Sequence, residues 1–260
     1  MRTVAFIQAR MSSSRFPGKV LADLGGQPMI VHMLARVASA RLVDETVVLT
    51  STDPSDDPLA RALADRGQAC HRGALDDVLG RFGSAAAAHP GDVYVRLTGD
   101  CPLIDPAVID QVLALRAATG AEYCSNVAPP TYPDGLDVEC FTAHALQRAL
   151  AAADRPALRE HVTLWMRDAA AGLSCANLAA PVDASHLRLT VDYPDDLAVV
   201  RQIVAAEQAA PSPFDFFDLL RVLDRDPDLR ARNPHSRNEG LAMSLTTDAA
   251  SATSHNQELP

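Results

Sequence analysis

Lys19 is the only lysine in a chain that carries 22 arginines. It ends the segment Gln8-Ala9-Arg10-Met11-Ser12-Ser13-Ser14-Arg15-Phe16-Pro17-Gly18-Lys19, which follows the apolar run Val4-Ala5-Phe6-Ile7. A guanidinium is a flat fork, whereas an ammonium is a compact, mobile point charge suited to a crowded phosphate tail. Arg10, Arg15 and Lys19 put three cations on one loop, among small residues and a glycine that let a ligand approach the backbone. That spacing points to binding of a polyanion.

Two aspartates suit the same chemistry. Asp100 stands in Arg96-Leu97-Thr98-Gly99-Asp100-Cys101-Pro102-Leu103 and Asp192 in Leu189-Thr190-Val191-Asp192-Tyr193-Pro194. Each follows an apolar run, as a strand-tip carboxylate would. Magnesium takes one or two carboxylates and shares phosphate oxygens, so the pair beside a cationic loop reads as a metal–triphosphate site. Taken alone, Asp100 reads first as a turn former. Asp195 and Asp196 read as acids at a helix start. In Asp134-Gly135-Leu136-Asp137-Val138-Glu139, strand alternation puts Asp137 and Glu139 on one face, where they must be paired, solvated or bound to a ligand. Glu160-His161 opens a helical pattern, and its histidine is either a packed residue or a chemical group. Arg81 lies four residues after Asp77, the spacing of a surface ion pair on one helix.

These positions need a scaffold. The first half alternates short apolar runs with helical patterns. Strands are expected at 4–7, 46–49, 68–71 and 93–97. Helices are expected at 28–38, from Pro54 and Ser55 to about Asp65, at 75–88, and from Asp105-Pro106 to Ala118. Gly67 and Gly120 stop two of them. This rhythm implies α/β architecture, a mostly parallel sheet covered by helices, with ligands beyond the carboxyl ends of the strands. After Glu122 the rhythm loosens. A strand-like alternation at 136–141, helices at about 143–153 and 156–170, a strand at 187–191 and helices at 194–207 and 214–223 complete the body. The reading is a single domain over 1–232, with acceptor or dimerisation elements within about 122–185. An extension follows at 233–244, then a polar, small-residue tail from Leu245 that is expected to be disordered.

Bulk properties narrow the classes. With 260 residues, 48% of them apolar, the chain can bury a sizeable core. A formal charge of −10 and a pI near 5.2 argue against nucleic acid or a membrane surface as partner. Five cysteines, widely spaced and without a CxxC pair, suggest neither a zinc site nor a disulfide framework. No secretory signal and no apolar stretch of about 18 residues is evident, so a cytoplasmic location is expected.

Taken together, the segments resemble a known family. The run from Ala9-Arg10 to Lys19, followed by Leu21-Ala22-Asp23-Leu24-Gly25-Gly26-Gln27-Pro28-Met29-Ile30, resembles the opening of the sugar-acid cytidylyltransferases, CMP-Kdo synthetase and acylneuraminate cytidylyltransferase. Arg72-Gly73 with Asp76-Asp77-Val78-Leu79-Gly80-Arg81-Phe82, the Thr98–Leu103 segment, Tyr132-Pro133 through Glu139 and Arg159-Glu160-His161-Val162-Thr163 are more similar to the spore-coat polysaccharide cytidylyltransferase-like branch. The likeness runs from about Arg2 to Leu245.

The resemblance implies a nucleotide-diphospho-sugar transferase, Rossmann-like fold, often dimeric. It implies Ala9, Arg10, Arg15, Lys19, Arg72, Asp77, Arg81 and Asp100 on the nucleotide, with Arg15, Lys19 and Asp100 catalytic. Asp100 and Asp192 would hold Mg2+. From the order of the segments, the second half is expected to build the acceptor side, with Asp137, Glu139 and His161 near the open edge of the nucleotide site. The expected reaction is transfer of CMP from CTP to an acidic sugar or similar anionic acceptor, with release of pyrophosphate. Where the Kdo enzymes carry glutamine-glycine-aspartate-glutamate-proline, this chain reads Thr98-Gly99-Asp100-Cys101-Pro102. Nucleotide and acceptor therefore stay open. The alternatives are a nucleotidyltransferase using another triphosphate with a sugar-phosphate or phosphonate acceptor, a glycosyltransferase of related fold, and a non-enzymatic nucleotide-binding regulator. The second would be expected to show a DxD motif, which Asp100-Cys101-Pro102 lacks.

Overall fold

The computed structural model describes residues 1–210, 214–227, 229 and 237. The 245–260 tail and nearly all of the 233–244 extension lie outside the described residues. The order is β1 (Thr3–Gln8), a small hairpin of β2 (Asp23–Leu24) and β3 (Gln27–Pro28), α1 (Met29–Val37), β4 (Glu45–Ser51), α2 (Asp57–Ala64), β5 (Cys70–Gly73), α3 (Val78–Ala88), β6 (Val93–Thr98), α4 (Pro106–Thr119) and β7 (Tyr123–Ser125). Then follow β8 (Glu139–Thr142), α5 (Ala143–Ala152), α6 (Pro156–Glu160), α7 (Leu164–Arg167), β9 (Cys175–Asn177), α8 (Pro194–Gln208) and α9 (Phe216–Arg225).

The strands form one sheet in the order β5-β4-β1-β6-β8-β7-β9. β5, β4, β1 and β6 are mutually parallel, β8 runs antiparallel to both its neighbours, and β9 is parallel to β7. The sheet is thus mostly parallel and covered by helices, as the alternation implies. β1 is apolar on both faces, as a strand between two helical layers must be. Its Ala5 and Ile7 join a core with α1, α2, α4, α8 and α9, while Val4 and Phe6 join a second core with α3, α5, α6 and α7. In that second core Phe6 stacks on Tyr94 at 5.0 Å and meets the edge of Phe82 at 5.6 Å.

Three expected elements differ. The 156–170 helix is broken into α6 and α7 at Val162, whose φ of +49° is a left-handed conformation that a β-branched residue adopts only under constraint. The break lets the Thr163 hydroxyl donate to Glu139 at 2.7 Å. The 187–191 segment is extended but is no sheet strand. Its backbone partners are Asp134 and Asp100 instead, through Asp134 N to Leu187 O, Leu189 N to Asp134 O and Val191 N to Asp100 O. Gly135 permits this docking: at φ +108°, a Cβ there would stand 2.8 Å from the Leu189 carbonyl carbon. Finally, 134–138 is a loop, and β8 begins only at Glu139. The loop is pinned by Asn126, which donates to Leu136 O and accepts from Val138 N, both at 2.8 Å.

Candidate active site

The carboxyl ends of β1 and β6, the 134–138 loop with the first residue of β8, the α6–α7 break and the 188–192 segment enclose a cavity of about 520 Å³. The loop after β1 is bound to the sheet before it carries any charge. Ala9 N donates to Leu49 O, and Met11 N donates to the Asp56 carboxylate at 2.6 Å. Asp56 is fully buried and also accepts from Ser51 N. Gly99 brings the β6 end against the same loop, since a Cβ there would lie 2.8 Å from Ala9 Cβ. Ala9, Arg10, Arg15 and Lys19 all line the cavity.

Lys19 is buried, and its Nζ joins Asp100, just past β6, and Asp192, at the end of the extended 187–191 segment. It donates to Asp192 Oδ1 at 2.9 Å and to Val191 O at 2.7 Å, and stands 3.5 Å from Asp100 Oδ2. Asp192 also pairs with Arg15 at 2.7 Å and Arg188 at 2.8 Å, and Arg15 lies over the Tyr193 ring. Burial alone would raise the Asp192 pKa, but Lys19, Arg15 and Arg188 outweigh it and hold the carboxyl at about 2. Asp196 caps the start of α8 by accepting from Asp192 N and Tyr193 N, and it also grips Arg188. It is thus a helix-start acid with a second role, fixing Asp192.

Asp100 and Asp192 converge on one small cation, which is the donor chemistry a hard metal ion needs. Among the described residues no group of three or more His, Cys, Asp or Glu comes together as a metal site. A two-carboxylate pair still fits an ion that completes its coordination with phosphate oxygens and water.

A second cluster gathers around Glu139 in the same cavity. Its carboxylate is buried and accepts from Tyr123 at 2.5 Å, from Thr163 and from Arg96, with Arg167 Nε 3.6 Å away. Burial would raise its pKa, but Arg96, Arg167 and the two hydroxyls pull it down to about 2. His161 lines the cavity with its Nε2 buried and without a hydrogen-bond partner among the described residues. Burial lowers its pKa first, and Arg96 and Arg167 add to that, against Glu160, whose carboxylate stands 3.8 Å from Nε2, and Glu139. Asp137 accepts from Arg237 at 2.5 Å, yet burial pushes it up to about 7 and pushes Asp134 to about 6.

The 72–81 region departs from expectation. Arg81 forms no surface pair with Asp77. It is buried, lines the cavity and donates to Ala74 O and Leu75 O, because two carbonyls of the turn before α3 lie closer than the i−4 carboxylate. Asp77 instead caps α3 through Gly80 N and pairs with Arg159 at 2.6 Å. Arg72 faces Ser51 O, Asp53 O and Asp57. Neither Arg72 nor Asp77 is among the residues lining the cavity.

Arg96, Arg167 and Arg188 line the cavity and Asp56 anchors its loop, none of them singled out from sequence. A trace existed for two. Arg96 interrupts the apolar strand Val93-Tyr94-Val95, and Arg188 interrupts Leu187-Leu189-Val191. Charges at such positions need a partner.

Residues 4–210 match the sequence profile of the Cytidylyltransferase family. The Bacillus subtilis spore coat polysaccharide biosynthesis protein SpsF is 31% identical over 235 residues, covering 88% of this chain and 97% of that protein. A 3-deoxy-manno-octulosonate cytidylyltransferase from Anaeromyxobacter dehalogenans is 34% identical over 247 residues, covering 79% and 99%. A cytidylyltransferase structure from Leptospira borgpetersenii superposes with a TM-score of 0.84 at 29% identity, covering 91% of this chain and 99% of that one. The chain belongs to the cytidylyltransferase family and is a nucleotidyltransferase with a nucleotide-diphospho-sugar transferase fold.

Proposed function

We propose that the chain transfers CMP from CTP to an acidic sugar and releases pyrophosphate. The observation that carries this reading is the single lysine: Lys19 sits with Arg15 on a loop beside Asp100 and Asp192, in one cavity. In this state the cations neutralise Asp192 and Asp100. A triphosphate is the stronger anion, and it would draw Arg10, Arg15 and Lys19 onto its oxygens.

Arg15 and Lys19 then hold the β- and γ-phosphates, where negative charge grows as pyrophosphate leaves. An acceptor hydroxyl attacks the α-phosphorus in line, so most of the catalysis is positioning and charge neutralisation. Mg2+, when bound, would be held by Asp100 and Asp192 and would supply neutralisation of the phosphate oxygens. Asp137, Glu139 and His161 stand on the acceptor side of the cavity. Arg81, which lines the cavity, would serve the nucleotide directly; Arg72 and Asp77 would serve it by fixing the β4–β5 and α3 ends around it. Assembly as a cytoplasmic homodimer belongs to the same reading, and sedimentation of the purified chain tests the stoichiometry. Participation in polysaccharide biosynthesis follows from the likeness to SpsF.

The test is a pyrophosphate-release screen of four nucleoside triphosphates against sugar acids, sugar phosphates and phosphonates, with and without Mg2+. Release confined to CTP with a sugar acid supports the reading. Release with another triphosphate, or only with sugar phosphates, overturns it.

A further inference from the structure

Asp134, Asp137, Glu139 and His161 line the cavity from the second half of the chain. Both oxygens of Glu139 are taken, one by Tyr123 and Thr163 and the other by Arg96. Asp137 is held differently. Arg237 Nη2 donates to its Oδ1 at 2.5 Å, while Arg237 Nη1 donates to Tyr132 O at 3.1 Å. One guanidinium thus spans the carboxylate and the backbone just before its loop, which fixes the plane of the carboxyl group. Oδ2 accepts no hydrogen bond among the described residues, and the side chain keeps 26% of its surface open. Asp137 also stands between two charged clusters. On one side it faces Cys101, next to Asp100, and Asp134, which feels both Asp100 and Asp192. On the other it faces Glu139 and Arg167. Asp134 is buried, but no hydrogen bond among the described residues fixes its carboxylate. A carboxylate with one oxygen held and the other open, at the meeting point of two anion-binding regions, is placed to take a proton.

We propose that Asp137 is the general base of the transfer, a catalytic residue whose Oδ2 takes the proton of the acceptor hydroxyl, and that Arg237 is its positioning residue. This rests on the reading of the cavity as a CMP-transfer site and names the group that activates the nucleophile. As the acceptor oxygen forms its bond to the α-phosphorus, its O–H bond breaks and the proton passes to Oδ2. The bond from the α-phosphorus to the bridging oxygen breaks, pyrophosphate leaves with that electron pair, and Asp137 afterwards gives the proton to water. The charges around Asp137 suit the task. Burial raises its pKa, and Asp134 and Glu139 add to that, but Arg237 opposes them and holds it at about 7. Without the guanidinium the carboxyl would stay protonated at neutral pH and could accept nothing. With it, the group is poised where a base is both deprotonated and strong enough to be useful. Arg237 lies 100 residues beyond Asp137, so the C-terminal extension supplies a residue to the chemistry.

The experiment uses the full chain as wild type, Asp137→Asn, Arg237→Ala and Arg237→Gln. Pyrophosphate release from CTP with each sugar acid of the screen is followed from about pH 5.5 to about pH 9. Wild-type turnover should rise through about pH 7. Asp137→Asn should be slower by about 100-fold and should lose that rise, while CTP affinity by calorimetry and the acceptor KM stay within about threefold. Arg237→Ala should move the rise upward by about one pH unit, so that it is slow at neutral pH and recovers in alkali. Where Arg237→Ala fails to fold, Arg237→Gln carries the test, because it keeps a donor and loses the charge. Protonation of Asp137 is read without turnover as the infrared carboxyl band that the wild type has and Asp137→Asn lacks. It should titrate near neutrality, and higher in the Arg237 variants. An Asp137→Asn protein with wild-type turnover, or with the pH rise intact, overturns the base, and so does a band that titrates in the ordinary carboxylate range. Arg237 variants slowed alike at every pH remove the positioning role. A wild type that releases no pyrophosphate with any sugar acid defeats the transfer reading and the base with it, whereas release undiminished in Asp137→Asn defeats the base alone.

Discussion

At the scale of single residues, the informative positions are those where charge is buried. Lys19→Ala should lose about 100-fold or more in turnover, because one ammonium is assigned to charge that grows in the transition state. Arg15 and Arg188 still neutralise Asp192, so the fold should survive. Lys19→Arg should recover only part of the activity, and steady-state pyrophosphate release measures both. Glu139 makes a stability prediction with a definite sign. Its pKa is depressed to about 2, so the stability it contributes is present above the ordinary carboxylate value and is lost as pH falls through about 2. Removing its charge leaves two guanidiniums without their shared carboxylate, at a cost on the order of 3 kcal/mol. The melting-temperature gap between wild type and Glu139→Gln should therefore be widest near neutral pH and should shrink between about pH 4 and pH 2. A gap that is independent of pH would mean that packing, not charge, is what Glu139 supplies.

At the scale of elements, the sheet was legible because each of β1, β4 and β6 is an apolar run bounded by turn residues. Lys19, Asp100 and Asp192 were legible for the same reason, as polar residues at the ends of such runs. The Glu139 cluster was not. Its members come from β6, β7, β8 and the α6–α7 break, and nothing local in Arg96, Tyr123, Thr163 or Arg167 says that they meet. The break itself was hidden, since Pro156 to Ala170 has the composition of one helix and tertiary demand overrides it at Val162. Arg81 failed for the opposite reason, because the i, i+4 rule describes isolated helices and not a helix whose first turn faces a loop of bare carbonyls. Gly99 marks a tight junction between elements. Gly99→Ala would push the β6 tip against Ala9, where the contact leaves no room. CTP affinity by calorimetry should fall by about tenfold. The melting temperature should fall by only about 2–4 °C, as for a loss of about 1 kcal/mol in a domain of this size. Unchanged CTP affinity would show that this junction does not shape the nucleotide side.

At the scale of the whole molecule, an acidic chain encloses a cavity in which seven of the lining residues are arginine or lysine. The net charge disfavours nucleic acid as a partner, and the cationic lining suits a small polyanion. Among the described residues no helix is long and apolar enough to cross a membrane. In the proposed function the two charged clusters divide the cavity between a triphosphate and an acceptor, and the product expected differs with the acceptor. A sugar acid attacking through a hydroxyl yields a CMP ester with one phosphorus, whereas a sugar phosphate yields a diphosphate with two. Phosphorus NMR of the product formed from CTP and the acceptor found in the screen separates them in one spectrum. The account predicts pyrophosphate together with a single new phosphodiester resonance. A pair of coupled diphosphate resonances in the product, or no cytidine conjugate at all, would contradict it.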